Sequence, residues 1–538
     1  MVLLRFAPSP TGFLHLGGLR TALYNYLYAR KLGGKWILRV EDTDATRYVP
    51  GSVENIQESL NWAGLDYDYG PSKGGPHGPY FQSERLDLYR WYSKKLLDSG
   101  HAYRCFCSAD TLASTRERLA RTGSNETYDK ACLHLTDEEV ARRVKAGDKH
   151  VIRLNDSTMP DRPPGHDIVF GTWKENHGSL PTDPILLKSD LYPTYHLASV
   201  VDDHEMGITH VIRGEEWLPS LPLHLDLYAC LSLPPPEFAH IPILLKADGT
   251  KMSKRSGDAQ VIDYIKHGYE PGAILNWLVL AGWGAKHEKP SDAPVSSAPD
   301  HARAGAKLKS EDAFLPDSTS IMTLPEMIEK FDLHTLTHRR SILDQVKLKY
   351  LNRHHLLQRM STPEGLDSIV AQLYAYVQET YPASEYATEE YVRKLIPTIN
   401  VVTFEHFKES MPIFFIEPDL YTSEAQGMVG GMNNATYKAV LQKMISLIEN
   451  PGLVWEHDQL EIEMRATGRD GPWTPKVIMT VMRHALTGVK AGPAVADIMH
   501  VLGRERTLRR LRKASEEDVV KSWRSWHGKS EHAKLPVR

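Results

Sequence analysis

The apolar positions change period from one stretch of the chain to the next. Leu3-Leu4-Arg5-Phe6-Ala7 is a short, mostly apolar run and predicts a buried strand. Pro8-Ser9-Pro10-Thr11-Gly12 breaks it. Beyond the break, Leu19, Ala22, Leu23, Tyr26 and Leu27 recur at the three-and-four spacing of one helix face. The order is strand, tight turn, helix. Trp36-Ile37-Leu38-Arg39-Val40 predicts a second strand, closed by Glu41-Asp42-Thr43-Asp44. Leu186-Leu187-Lys188 and Thr209-His210-Val211-Ile212 predict further strands, and Ile241-Pro242-Ile243-Leu244-Leu245 is another apolar run. Helical spacing takes over at Val261, Ile262 and Ile265 and continues through Ala273, Ile274, Trp277 and Leu278. From about Lys347 to the end it persists throughout. Val440, Leu441, Met444, Ile445 and Ile448 form one stripe, stopped by Asn450-Pro451-Gly452. The pattern predicts an α/β sheet followed by an all-helical region. Between them, about 285–320 is rich in Ser, Pro, Ala, Asp and Lys with almost no aromatics, which predicts a disordered insertion.

Composition narrows this picture only a little. A chain of 538 residues has room for several domains. Its 41% hydrophobic and 25% charged residues are ordinary for a soluble globular protein, and no run is long enough to span a bilayer. The net charge of −4 does not itself point to nucleic acid, although local basic patches matter more than the sum. Four cysteines argue against a disulfide framework and for a reducing compartment. A strand beginning at Leu3 leaves no room for a targeting segment, so the protein works where it is made, or the sequence is mature or truncated.

The chemistry gathers where strands end. In an open α/β sheet, ligands bind beyond the carboxyl ends of the strands, and a helix N-terminus with free N–H groups suits a phosphate. Leu14-His15-Leu16-Gly17-Gly18 occupies that place. Two glycines let a flat ring approach the backbone, and His15 is either a phosphate donor or a helix cap. Lys251-Met252-Ser253-Lys254-Arg255 crowds three cations into five residues, as an anion-binding loop or a solvated one. Arg5 and Arg213 each close a predicted strand, so they either converge on one anion or form ordinary ion pairs. Asp42 and Asp44 either face the crevice or cap the next helix. Cys105, Cys107, Cys132 and His134 form a C-x-C…C-x-H set suited to one structural Zn²⁺; the alternative is cysteines buried as small hydrophobes. The cations from Arg504 to Lys513 suit phosphate contact or a solvated helix face.

Two of these stretches together resemble the HIGH and KMSKS signatures of class I aminoacyl-tRNA synthetases. Residues 6–12 with Leu14-His15-Leu16-Gly17 resemble the glutamyl/glutaminyl branch, and the run 191–217 is similar to glutamyl-tRNA synthetases of bacterial and mitochondrial type. One departure is Gly18 in place of the last His of HIGH. The resemblance implies a Rossmann-type catalytic domain (1–102 and 191–258) with an inserted acceptor-binding domain (103–190). It further implies stem-contact helices (259–345) and an all-α anticodon-binding region (346–538). It implies ATP-dependent ligation of L-glutamate to tRNA(Glu) through a glutamyl adenylate, with tRNA(Gln) as an open second acceptor.

Carried over residue by residue, His15, Lys251 and Lys254 are the catalytic set. Gly17, Glu216, Met252, Ser253 and Arg255 join them around ATP, which brings Mg²⁺. Arg5, Phe6, Ala7, Ser9, Glu41, Tyr195, His196, Leu197, Ala198, Ser199 and Arg213 surround glutamate. Arg5 and Arg213 are the candidates for its γ-carboxylate, through paired charge-assisted bonds, and Glu41 for its amino group. A monomer is expected, in the mitochondrial matrix or else the bacterial cytoplasm. Three other readings compete. A glutamyl-queuosine-tRNA synthetase lacks a helical second half, and a non-catalytic RNA-binding paralogue has no need of His15 and the cationic loop. A small-molecule nucleotidyltransferase explains neither the length nor the run 191–217.

Overall fold

The computed structural model describes residues 1–172, 181–246, 249–250, 260–283, 319–398 and 403–518. The chain divides into two compact units, Met1–Asn352 and Arg353 onward.

The first unit is built on a four-stranded parallel sheet of β1 (Leu3–Phe6), β2 (Lys35–Leu38), β8 (His210–Gly214) and β9 (Glu237–Ile241), in the order β2-β1-β8-β9. All four residues of β1 are buried, as expected of a parallel strand covered on both faces. The predicted helix runs Leu16–Lys31 and buries Leu16, Leu19, Leu23 and Leu27 completely. Each such leucine contributes about 1.5–3 kcal/mol on leaving water. The chain leaves β1 toward β2 on one side and returns to β8 on the other. The crevice between β1 and β8 is therefore a topological switch point.

The chain between β2 and β8 forms a separate antiparallel sheet, β3 (Ala102–Cys105), β4 (Val151–Leu154) and β7 (Ile185–Leu187). It also carries a small hairpin of β5 (His166–Asp167) and β6 (Gly171–Thr172). This hairpin reaches back to the parallel sheet, where the Ile168 N–H donates to the Phe238 carbonyl at 2.8 Å. After β9, helices Val261–Lys266 and Pro271–Leu280 complete the core, with Ile274 and Leu278 fully buried. Most of the predicted insertion, 285–318, lies outside the described residues.

Among the described residues the second unit has helices and no strand. The predicted apolar stripe lies on helix Asn434–Glu449, where Val440, Leu441, Met444 and Ile448 are buried and Asn450 ends the helix. The cations of 504–513 require a correction. Arg506 and Arg510 are buried, and with Arg504 they point at main-chain carbonyls rather than outward. Arg504 reaches Ile448 and Asn450, Arg506 reaches Phe414, and Arg510 reaches Ile413, Leu486 and Ile416. These guanidiniums satisfy carbonyls that helix ends leave open. Only Arg509, Arg512 and Lys513 of the run's basic residues remain exposed. No helix of the described residues is long and apolar enough to cross a membrane.

Candidate active site

The entrance is the turn between β1 and the first helix. His15 is the N-cap of that helix, and its Nδ1 accepts from the Gly18 N–H at 3.0 Å. The cap reading and the phosphate reading are compatible. With Nδ1 accepting, a neutral imidazole carries its proton on Nε2 as a donor. A side chain at either glycine would crowd its neighbours. A Cβ on Gly17 would stand 3.0 Å from His15 Cε1, and one on Gly18 would stand 2.8 Å from Leu14 Cδ1. Residues Lys251, Met252, Ser253, Lys254 and Arg255 lie outside the described residues, but their downstream anchor does not. Gln260 bridges to His15, and the Val261 N–H donates to the Leu14 carbonyl at 2.9 Å. Main chain thus ties the first signature to Gln260 and Val261, more than two hundred residues further along.

The crevice floor is a buried charge network. Asp203 accepts from Arg5 Nε at 3.0 Å and from Arg39 Nη1 at 2.7 Å. Arg39 also approaches Glu41, at 3.3 Å. Asp202 accepts from Arg85 at 2.7 Å, Gln82 at 2.8 Å and Tyr89 at 2.8 Å. Burial works to raise the Asp203 carboxyl, but Arg5 and Arg39 outweigh it and hold the group below its ordinary value. At Glu41 burial prevails, and its carboxyl is pushed up despite Arg39 and Arg5. An ammonium placed beside Glu41 would add to Arg39 as counter-charge and favour its ionised form.

Arg213 sits differently. It is 5% exposed, and no carboxylate pairs with it among the described residues. Its Nε donates to His240 Nε2 at 2.9 Å, and its Nη1 to the Tyr195 hydroxyl at 3.0 Å and His224 Nδ1 at 3.3 Å. His196 Nδ1 lies 3.1 Å from His224 Nε2. Burial, reinforced by Arg213, pushes His196 and His240 down to about 4 and His224 well below its ordinary value. Arg213 is therefore a desolvated cation among neutral acceptors.

Helix Tyr195–Glu205 joins the two regions, because Tyr195, Ser199 and Asp203 follow at four-residue spacing on one face. The Tyr195 hydroxyl is raised by burial, and it feels Arg213, Glu41, Arg5 and Asp203 together. The Ser199 hydroxyl is buried without a protein partner. Leu197, Ala198 and Phe6 are packed in the apolar core, while Ala7 and Ser9 are half-buried on the turn. Glu216 is exposed on the 3₁₀ turn that follows β8. Asp42 and Asp44 are structural. Asp42 accepts from the Ser83 N–H at 2.8 Å, and Asp44 caps its own turn through the Thr46 N–H.

The inserted segment brings Cys105, Cys107 and Cys132 together, with their Sγ atoms within 4.8 Å of one another. His134 is exposed and is not in this cluster. The group beside the thiols is Tyr128, whose hydroxyl lies 3.4 Å from Cys105 Sγ and 3.7 Å from Cys107 Sγ.

Sequence reasoning missed Asp167, His224, His240 and the Asp202–Asp203 pair. Only the last left a signal: two adjacent acids in an otherwise apolar helix must be partnered if they are buried.

A switch-point crevice with a capped histidine at its mouth, and a distant segment, just after the cationic run in sequence, bound back to that histidine, fits a class I aminoacyl-tRNA synthetase. The family tRNA synthetases class I (E and Q), catalytic domain, matches residues 1–293, and an anticodon binding domain matches residues 369–515. The chain belongs to this family. Its activity is that of a glutamate–tRNA ligase. The glutamate–tRNA ligase of Chloroherpeton thalassium is 35% identical over 542 residues, covering 95% of this chain and 97% of that one. The glutamate–tRNA ligase of Alkaliphilus metalliredigens is 36% identical over 535 residues, covering 96% and 99%. The solved glutamate tRNA ligase of Elizabethkingia meningosepticum, in complex with its amino acid, superposes with a TM-score of 0.77 at 32% identity. It covers 96% of this chain and 99% of that one.

Proposed function

We propose that Arg213 receives the γ-carboxylate of L-glutamate, with the Tyr195 hydroxyl beside it, and that Glu41 takes the α-amino group. The observation that carries this reading is the difference in charge balance. Of the crevice guanidiniums Arg5, Arg39, Arg85 and Arg213, only Arg213 lacks a carboxylate partner among the described residues. Arg5, committed to Asp203, shapes the pocket and adds field rather than a second free cation. Glutamine would bring an NH₂ against a donor and leave the charge unanswered, which is a strong ground for rejection. Ser9, half-buried on the turn, and Ser199, whose buried hydroxyl has no partner among the described residues, offer further hydroxyls.

His15 donates from Nε2 to an ATP phosphate at the helix entrance, and Gly17 admits the nucleotide. Lys251 and Lys254 stabilise charge as it develops on the phosphates. The glutamate α-carboxylate attacks the α-phosphorus, pyrophosphate leaves, and glutamyl adenylate remains. The 2′-hydroxyl of the terminal tRNA adenosine then attacks the acyl carbon and releases AMP. No protein nucleophile is needed, since positioning and charge stabilisation carry phosphoryl transfer. Mg²⁺ accompanies ATP and offsets its phosphate charge.

The three converging thiols of Cys105, Cys107 and Cys132 would supply three of the four ligands of a structural Zn²⁺, which would brace the inserted segment. Metal analysis of the purified protein tests this. The chain acts as a monomer, and the segment around 285–320 supports a mitochondrial setting, tested by fractionation of tagged protein.

The function is tested by charging purified tRNA(Glu) and tRNA(Gln) in parallel with labelled glutamate. Label on tRNA(Glu) alone defines a discriminating enzyme, and label on both a non-discriminating one. Label on neither, with ATP binding intact, contradicts the proposal.

A further inference from the structure

The Arg213 region contains a second layer that the reaction itself does not use. Arg213 and His240 are register partners on the adjacent parallel strands β8 and β9. His240 is fully buried, and so is Asp167, which arrives on the β5 hairpin from the inserted segment. Asp167 Oδ1 accepts from the N–H groups of Val169 at 3.0 Å and Phe170 at 2.9 Å. Its Oδ2 accepts from the His240 N–H at 2.9 Å and faces His240 Nδ1 at 2.7 Å. Four donors thus pin one carboxylate. A carboxylate accepts and a guanidinium only donates. Between them, a neutral His240 has one consistent state, with the proton on Nδ1 toward Asp167 and the lone pair on Nε2 toward Arg213.

The same logic continues on the other side. Arg213 Nη1 donates to His224 Nδ1, so the proton of His224 sits on Nε2 and is given to His196 Nδ1. The Trp217 carbonyl accepts from Nη2 at 3.4 Å. The guanidinium plane is therefore set by neutral acceptors, and the first of them has its tautomer fixed from outside the pocket.

We propose that Asp167 and His240 form a positioning pair for Arg213, Asp167 holding the His240 tautomer whose Nε2 orients the guanidinium that receives the substrate carboxylate. This rests on the proposed role of Arg213 and extends it to residues that touch no substrate. Without Asp167, the imidazole is free to carry its proton on Nε2 and to meet Arg213 donor to donor. An outer partner of this kind acts on the alignment of the group it supports.

The test is steady-state aminoacylation by the full chain, varying glutamate at saturating ATP and tRNA(Glu), then varying ATP. In Asp167→Asn and His240→Phe the KM for glutamate should rise about 10–100-fold, with kcat and the KM for ATP nearly unchanged. His240→Gln places a carbonyl oxygen near the Nε2 position and should restore KM to within about threefold of the parent. Arg213→Lys is the control on the parent reading. If Arg213→Lys leaves the glutamate KM unaltered, the role of Arg213 fails. If Arg213→Lys raises it while Asp167→Asn and His240→Phe do not, the positioning pair alone fails. Equal falls in kcat in every variant, with lowered melting temperatures and no rescue by Gln, would make the pair merely structural and overturn the proposal. Should Asp167→Asn not fold, the His240→Phe and His240→Gln pair decides it.

Discussion

Arg213 in the catalytic unit and Arg510 in the helical unit are almost equally inaccessible, at 5% and 2% exposure. Their surroundings differ in kind. Arg510 gives its donors to the carbonyls of Ile413, Leu486 and Ile416 and stands 3.5 Å from Glu417. Both terminal nitrogens are committed to main chain, and burial pushes the guanidinium down to about 10. Arg213 gives its donors to two imidazoles, a hydroxyl and the Trp217 carbonyl, and no carboxylate cancels it among the described residues. One arginine closes helix ends, while the other holds a charge ready in a dry site. What separates the two here is a neighbouring carboxylate, Glu417 beside Arg510 and none beside Arg213 among the described residues, not depth.

The comparison sharpens first at the neutralised part of the crevice. Asp203 answers two guanidiniums, so Asp203→Ala leaves both buried and short of their counter-charge. It should cost about 3–5 kcal/mol, read by denaturant unfolding of the full chain. A cost below about 1 kcal/mol would mean that Glu41 and Asp202 already balance Arg5 and Arg39.

Acid should weaken the catalytic unit next. His196 and His240 titrate at about 4 when folded, against an ordinary 6.5. Between those values the unfolded chain binds protons that the folded site refuses. Stability is therefore complete above pH 6.5 and falls as pH drops toward 4, by up to about 3 kcal/mol for His240 alone. Glu41, whose carboxyl is raised by burial above its ordinary 4.5, works in the opposite sense from that value upward and offsets part of this loss. A flat melting temperature through that window would contradict the neutral-acceptor cage.

In the helical unit, Arg510→Met should leave three carbonyls short of a donor and cost about 2 kcal/mol, with glutamate KM unmoved. The smallest effect belongs to exposed Arg512, which pairs with Glu449 on the surface. Arg512→Ala should change stability by less than about 0.5 kcal/mol.

The local parts of this site were legible in the sequence. The strand, turn and helix around His15 are contiguous, and so their periods and breakers could be read directly. Charge balance was not legible. Arg5 and Arg213 look alike as cations closing strands, and the acid that distinguishes them, Asp203, lies 198 residues from Arg5. Asp167 and His240 are 73 residues apart and carry no shared local pattern. The cations near the end misled for a related reason. A run of arginines on a helix shows its charge but not that the neighbouring helix ends turn carbonyls toward it.

The central claim is that Arg213 is the uncompensated cation that selects the side-chain carboxylate. The most direct measurement is aminoacylation kinetics of Arg213→Gln with glutamate and with glutamine, beside the parent. The account predicts that kcat/KM for glutamate falls about a thousandfold, equivalent to about 4 kcal/mol, and that most of the preference over glutamine disappears while ATP affinity holds. An unchanged glutamate-to-glutamine ratio in the variant would contradict it.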